Sequence, residues 1–284
     1  YVSGFKADLL WEPVFRPAKL PPTQSIWYPI DTARGRIISV KTTPLMSELV
    51  RLGTFAKQDT GAGGAGIRLS ASAASVDYAL TVQRAPHSLP YYRIDPAVRA
   101  SLLSGNDVAT AVAASSQTFT EVHPWSWFIG SDAAIDAFAA TWRLEAAYVT
   151  AIPVTTTTLQ YTTHPGVDWA AEVEFYPGDS NTRVNLQLSG EEMFNPPPVL
   201  DHINIYSLGG QVESPFRHDR WKASLRFLVG LDRRNLYLNP EIAYTGWEPY
   251  EIYVDYHYFS GAAGTVGDYH RYHDLVTLGW RARY

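Results

Sequence analysis

Arg271-Tyr272-His273-Asp274-Leu275-Val276-Thr277-Leu278-Gly279-Trp280-Arg281-Ala282-Arg283-Tyr284 is the stretch whose reading decides the fold. Successive side chains of an extended strand point to opposite faces. Val276, Leu278, Trp280, Ala282 and Tyr284 therefore share one face, and Thr277, Gly279, Arg281 and Arg283 share the other. One apolar face, one wet face and an aromatic end suit a strand that crosses a bilayer with its aromatic at the membrane-water interface.

The same period of two returns upstream. It sets Ile252, Val254, Tyr256 and Tyr258 against Glu251, Tyr253, Asp255 and His257, and Trp221, Ala223, Leu225, Phe227 and Val229 against Lys222, Ser224 and Arg226. Leu236, Leu238, Ile242 and Tyr244 oppose Asn235, Asn239 and Glu241, and Leu208, Val212 and Phe216 oppose Gln211 and Glu213. Val184, Leu186 and Leu188 oppose Arg183, Asn185 and Gln187. Trp169, Ala171, Val173 and Phe175 oppose Asp168, Glu172 and Glu174, and Trp142, Leu144, Ala146 and Tyr148 oppose Arg143 and Glu145. Each set reads as a strand with one wet face. The hairpin Ala65 to Ala73 and Ser75 to Arg84, and a first strand Gly4 to Val14 with Phe5, Ala7, Leu9 and Trp11 outward, complete the series.

Composition narrows the class. Charged residues make up 18% and aromatics 13%, with nine Trp and eighteen Tyr, yet no run of about 18 apolar residues exists to form a membrane-spanning helix. A net charge of −5 without a polybasic tract excludes a nucleic-acid footprint. The absence of Cys removes thiolate metal sites, cysteine nucleophiles and disulfides. Tyr1 is not preceded by a charged and then apolar leader, so any secretory signal is expected to have been removed already.

The connections alternate in length, as in barrels with short periplasmic turns and longer outward loops. Gly246 to Glu248, His218-Asp219, Pro177 to Asn181 and Ser131 to Asp136 read as tight turns. Gly261 to His270, Gly190 to Asn204, Thr150 to Pro165 and Ala85 to Gln117 read as long loops, and only Leu231 to Arg234 is short among them. The expectation is one all-β domain over 1–284, a transmembrane antiparallel up-and-down β-barrel of about twelve strands. The connection Phe15 to Gly64 leaves an alternative: a hairpin from Arg36 to Lys57 raises the count to about fourteen and keeps the alternation of sides.

Ala7-Asp8-Leu9-Leu10-Trp11-Glu12-Pro13-Val14-Phe15-Arg16-Pro17-Ala18-Lys19-Leu20-Pro21 resembles the strand-plus-loop start of a large family of Gram-negative outer-membrane proteins of unknown function with porin-like architecture. Gly66-Ile67-Arg68-Leu69-Ser70, Val76-Asp77-Tyr78-Ala79-Leu80 and Leu89-Pro90-Tyr91-Tyr92 are similar to that family's next hairpin and following loop. The resemblance implies location and fold, with further barrel sequence before the first stretch and hence a larger strand count. It carries over no catalytic residues.

Function is then expected from the inner face, the loops and the outer wall. Arg143, Glu145, Asp168, Glu172, Glu174, Arg183, Lys222, Arg226, Asp255, Arg281 and Arg283, joined by Arg68, Asp77, Glu241 and Glu251, point inward. Acids gather on the Val167 strand and bases on the Asp219 and C-terminal strands, which predicts a transverse field across a water-filled pore. The same charges, paired, would instead fill a narrow interior as a plug. Trp11, Trp125, Trp127, Trp142, Trp169, Trp221, Trp280 and Tyr284 are expected to form an interfacial girdle, whereas a soluble sandwich would bury such residues inside.

The loops hold weaker chemistry. Asp268 to His273, with His257 nearby, places imidazoles beside a carboxylate, a pattern that also serves interfacial anchoring or recognition. His87-Ser88 lacks a third orienting group, so no enzyme is expected. Glu191-Glu192 before Asn195-Pro196-Pro197-Pro198 reads as a solvated loop rather than a calcium site. No metal and no cofactor are expected. Ala97 to Ala114 reads as an apolar helical stretch inside a loop that either constricts the lumen or forms a docking surface. The sequence thus points to the outer membrane of a Gram-negative bacterium and to a channel for small solutes. The alternative is a non-conducting barrel that scaffolds envelope proteins. Lipid is the expected partner in both cases and nucleic acid in neither.

Overall fold

The computed structural model describes residues 2–58, 61–178 and 181–282. It is an all-β architecture with one large antiparallel sheet of twelve strands and a few short helices. The strands are β1 Val2–Trp11, β2 Ala65–Ala73, β3 Val76–Pro86, β4 Trp125–Ala137, β5 Ala140–Thr155 and β6 Tyr161–Phe175. They continue as β7 Arg183–Met193, β8 Ile205–Phe216, β9 Trp221–Gly230, β10 Asn235–Trp247, β11 Tyr250–Gly261 and β12 Leu275–Ala282. Spatial order equals chain order, so every strand pairs with its sequence neighbours and nothing crosses over. Among the described residues β1 pairs only with β2, and β12 only with β11.

The register keeps the faces pure. Trp142 sits opposite Val173, Val173 opposite Leu186, and Phe227 opposite Leu238 on the outer face. Arg143 sits opposite Glu172, and Glu172 opposite Gln187, on the inner face. Trp142, Leu144, Leu225, Val254 and Leu278 are exposed on the outer face, and Val173 and Phe227 are half-buried.

At one end the strands are joined by tight turns. Phe138 and Ala139 both have positive φ, the hairpin geometry that matches strand twist. At the other end the loops build a cap, which holds the apolar core of the molecule. Helix α1 Pro44–Leu52 starts where the Thr43 hydroxyl accepts from the Met46 amide, and it buries Met46, Leu49 and Val50 on one face. Helices α2 Pro96–Leu103 and α3 Val108–Ala113 are capped by Asp95 and Asp107. Gly105, at φ +87°, breaks the helical stretch between them. Leu49, Val98, Ala111 and Phe119 are fully buried together, with Phe55 stacked on Phe119 at 4.6 Å.

Cap segments tie together loops that lie far apart along the sheet. The Lys41 amide donates to Leu200 O at 2.8 Å, and the backbone of Gly264 lies against the same Lys41. Leu200 lies between β7 and β8, and Gly264 between β11 and β12, so these two loops converge on one cap segment.

Several boundaries differ from the sequence expectation. Ser131 to Asp136 is not a turn but the continuation of β4. Small residues at 130–134 had blurred the alternation there. Thr150 to Pro165 is mostly strand, with only 156–160 outside β5 and β6. Glu191 and Glu192 belong to β7, where they face opposite sides of the sheet. The Arg36 to Lys57 hairpin does not form, because α1 occupies its centre and Arg36–Ile37 pairs instead with Ile30–Asp31.

One packing detail gives a direct test. A Cβ on Gly190 would sit within 2.4 Å of the Trp169 indole nitrogen, so the indole lies flat over its neighbouring strand only because position 190 has no side chain. Gly190→Leu should cost about 1–3 kcal/mol by denaturant titration. The same change in a Trp169→Ala background should cost much less; equal costs would refute the contact.

Candidate functional site

The inner face of the sheet carries the candidate site, and its two halves differ. On β9 to β12 the Arg281 and Lys222 charges are paired with buried acids. The Arg281 guanidinium bridges Glu241 at 2.5 Å and Glu251 at 2.7 Å across β11, and lies 4.4 Å from the centre of the Tyr253 ring. Lys222 approaches Glu213 at 3.5 Å and Glu251 at 3.7 Å. Glu241 and Glu251 are each 3% exposed. Asn239, fully buried, accepts from Arg226 at 3.1 Å and donates to Tyr256 O at 3.2 Å. Asp255 lies 3.3 Å from His257, which also bonds the Tyr237 hydroxyl at 2.9 Å.

On β2 to β6 the face is more open. Arg68 holds Asp132 in a bidentate pair, both contacts 2.8 Å, that spans β3. Arg143 bonds Glu172, which also accepts from Asn185 at 2.7 Å, and Glu174 lies 3.9 Å away. Beside these pairs a cavity of about 450 Å³ is lined by Arg68, Asp132, Glu145 and Asp168. Glu145 and Asp168 are exposed and have no ion pair among the described residues. Arg183 lies opposite Glu213 near the turn end.

The inward residues Arg143, Glu145, Asp168, Glu172, Glu174, Lys222, Arg226, Asp255 and Arg281 thus share the inner face. Their partners, however, lie one or two strands away. Arg226 and Arg281 engage Asn239, Glu241 and Glu251 rather than Glu172 and Glu174. Arg283 and Tyr284 lie outside the described residues. Asp132 was missed because its segment read as a turn.

Of the aromatic set, Trp11, Trp125 and Trp127 lie at the cap end, and Trp142, Trp221 and Trp280 near the turn end. Trp169 sits at the middle of β6, over Gly190.

Cap residues pack against the end of this face. Trp27 packs on His257 and Phe259 of β11, both at 5.8 Å between ring centres, and on His270 at 5.2 Å. Phe15 packs on His123 at 4.9 Å, and His123 bonds His87 O and Glu121. The His87 ring lies against Phe128. Asp268 is engaged by Arg271 at 3.1 Å, and its carbonyl by Arg36 at 2.8 Å, while His270 and His273 face each other at 3.1 Å. Among the described residues no group of three or more His, Cys, Asp or Glu is placed to hold a metal ion.

Comparison with protein-family models, with curated proteins and with solved structures gives no match for this chain.

Burial, reinforced by His273, pushes His270 down to about 4. The folded cap therefore favours the neutral ring. Its stability contribution is full above the ordinary His value of about 6.5 and is lost as pH falls from there toward 4. Amide exchange in Val266–Tyr269 should accelerate between pH 7 and 5 beyond the intrinsic change, and His270→Phe should abolish the excess. An unchanged excess would place the acid response elsewhere.

The buried charge ladder makes a second prediction. Arg281→Ala should destabilise the protein by about 3–5 kcal/mol, since it strips the partner from buried Glu241. Adding Glu241→Gln should recover part of that loss in a double-mutant cycle.

Proposed function

We propose that the twelve-stranded sheet is the wall of a β-barrel in the outer membrane of a Gram-negative bacterium, and that it works as a porin-like passage for small solutes. The observation that carries this reading is the asymmetric inner face. Arg281 and Lys222 are engaged by Glu241 and Glu251 on β10 and β11, while Glu145 and Asp168 border an open space without ion pairs among the described residues. Water beside two unpaired carboxylates gives a negative local potential, which attracts cations and repels anions. The apolar outer residues fit contact with lipid, and the aromatics near both strand ends fit two interfaces. The family resemblance of the first strand and hairpin points the same way.

The cap favours a second reading, a non-conducting barrel that anchors envelope proteins. Trp27 packs on His257 and Phe259 of β11, and Phe15 on His123, so cap residues lie against the loop end of the sheet.

Reconstitution in planar bilayers separates the two. A conducting wild type with cation preference, reduced by Glu145→Gln with Asp168→Asn and weakened at high salt by screening, supports the passage. A silent bilayer with folded protein supports the scaffold. The membrane setting has its own arm: Leu225→Arg should cost about 2–4 kcal/mol near mid-bilayer. A protein that stays dispersed without detergent and tolerates this change would refute both readings.

A further inference from the structure

The turn Arg217-His218-Asp219-Arg220 between β8 and β9 carries charges that the inner-face site does not use. The other turns at this end of the sheet, residues 74–75, 138–139, 176–182 and 248–249, contain no Arg, Lys or His. Here two guanidinium groups and an imidazole share one short loop, and all four of its residues are exposed. Arg217 and Arg220 make no ion pair and no side-chain hydrogen bond among the described residues.

The turn is nonetheless held in place. The Thr245 amide of β10 donates to Arg220 O at 2.9 Å, and the Thr245 hydroxyl to Asp219 O at 2.8 Å. Arg217, His218 and Asp219 have φ of +52°, +59° and +59°, a backbone region that most side chains disfavour and that Gly or Asn usually fills in turns. The stem of Arg220 is seated too: a Cβ on Gly246 would lie 3.1 Å from Arg220 Cγ and 2.8 Å from the Tyr244 hydroxyl.

These cations open onto aromatic rings. Arg217, His218 and Arg220 line an open groove of about 770 Å³ together with Trp221 and Tyr244. The Trp221 ring meets Tyr244 edge-on at 5.1 Å and stacks with Phe216 at 6.3 Å. Trp221 shares the outer face of β9 with Ala223 and Leu225, so the groove has a cationic rim at the turn and an apolar floor that continues along the outer wall. Asp219, the one acid of the turn, does not line it.

A matching ligand is anionic at one end and apolar at the other. We propose that the groove holds an anionic phospholipid of the leaflet bordering the turn end, with its phosphate on Arg217 and Arg220 and its glycerol and upper acyl chain on Trp221 and Tyr244. The inference rests on the membrane setting proposed above and adds the lipid class to it. Guanidinium groups bond phosphate oxygens through paired N–H donors, and Trp and Tyr rings sit at headgroup level. A zwitterionic lipid would bring a second cation to the two guanidinium groups and fits less well. Free phosphate would use the rim and leave the aromatic floor bare.

The full chain in detergent is titrated with phosphatidylglycerol or phosphatidylcholine of identical acyl chains, and the lipid-bound forms are counted by native mass spectrometry. The first phosphatidylglycerol should bind at least about tenfold more tightly than the first phosphatidylcholine. Each basic residue at a membrane surface is worth about fivefold in affinity for anionic lipid. Arg217→Gln should therefore weaken phosphatidylglycerol about fivefold, and Arg217→Gln with Arg220→Gln about 25-fold, with phosphatidylcholine unchanged. The single variants carry the test should the double variant fail to fold. A control that removes the same charge from exposed cap-side positions, Arg51→Gln with Arg233→Gln, should cost less than about twofold. Inorganic phosphate in excess should not displace the lipid. The proposal is overturned by equal wild-type affinity for the two lipids, by equal losses in the turn and control variants, or by full displacement with phosphate, which would assign the groove to a free anion. A protein that needs detergent but binds both lipids equally loses only this site. A protein dispersed without detergent loses the membrane setting and the site together.

Discussion

Everything in this molecule depends on the antiparallel hydrogen-bond ladder between strands that are neighbours in sequence. Because each strand pairs with the next without crossover, one register decides which face every side chain takes. A slip by one residue would carry Arg143, Glu172 and Arg281 to the outer face and Leu144, Val173 and Trp280 inward. The alternation leaves the sheet no apolar core of its own. Its stability has to come from the ladder, the cross-strand charge pairs, the solvent on its outer face, and the cap.

The cap supplies what the sheet lacks. Leu49, Val98 and Phe119 form a compact core in segments that start as loops, and those segments clasp the rim at two places of opposite character. At one, Asp201 binds Tyr91 and Thr155. Burial raises its folded value to about 6, so relative to the unfolded chain this clasp gains stability as pH falls through 6 toward about 4. At the other, Trp27 rests on His270, whose buried ring favours the neutral form and loses stability as pH falls below about 6.5. On acidification the contribution of Asp201 to folded-state stability therefore rises while that of His270 falls, so the two oppose each other.

Which parts could be read in advance follows from where the information lies. The period of two is local, so β5 to β12 and their inner residues stood out from the sequence, β8 least clearly, and Ala97 to Ala114 showed its helical character. Asp132 did not, because Gly130, Ser131, Ala133 and Ala134 are too small to display a strong alternation. The cap clasps were equally hidden. Arg36 reaches Asp268 and Tyr91 reaches Asp201 across long stretches of chain, and nothing in either neighbourhood names the partner. Pairing was hidden for a related reason: opposite charges on the inner face suggested a field across water, but guanidinium groups close on carboxylates one or two strands away.

The two edges of the sheet set the physical condition for the proposed membrane setting. Outer residues on interior strands are shielded by neighbours on both sides, as at Leu225, 39% exposed, whereas Leu9 on β1 is 82% and Leu278 on β12 is 77% exposed. An unpaired strand edge costs little in water, which satisfies its N–H and C=O groups. In hydrocarbon each unsatisfied group costs several kcal/mol, so an open edge cannot face lipid. The strand directions permit a remedy. β1 runs toward the cap and β12 runs away from it, so the two can pair antiparallel with each other, and any strands placed between them must come in even number to keep that arrangement. The cap already links the loop after β1 to the loop before β12 through Arg36 and Asp268, which brings the mouths of the two edges toward one another. The apolar outer face and the ladder thus make a joint demand: the more completely lipid surrounds this sheet, the more completely its edges must be paired.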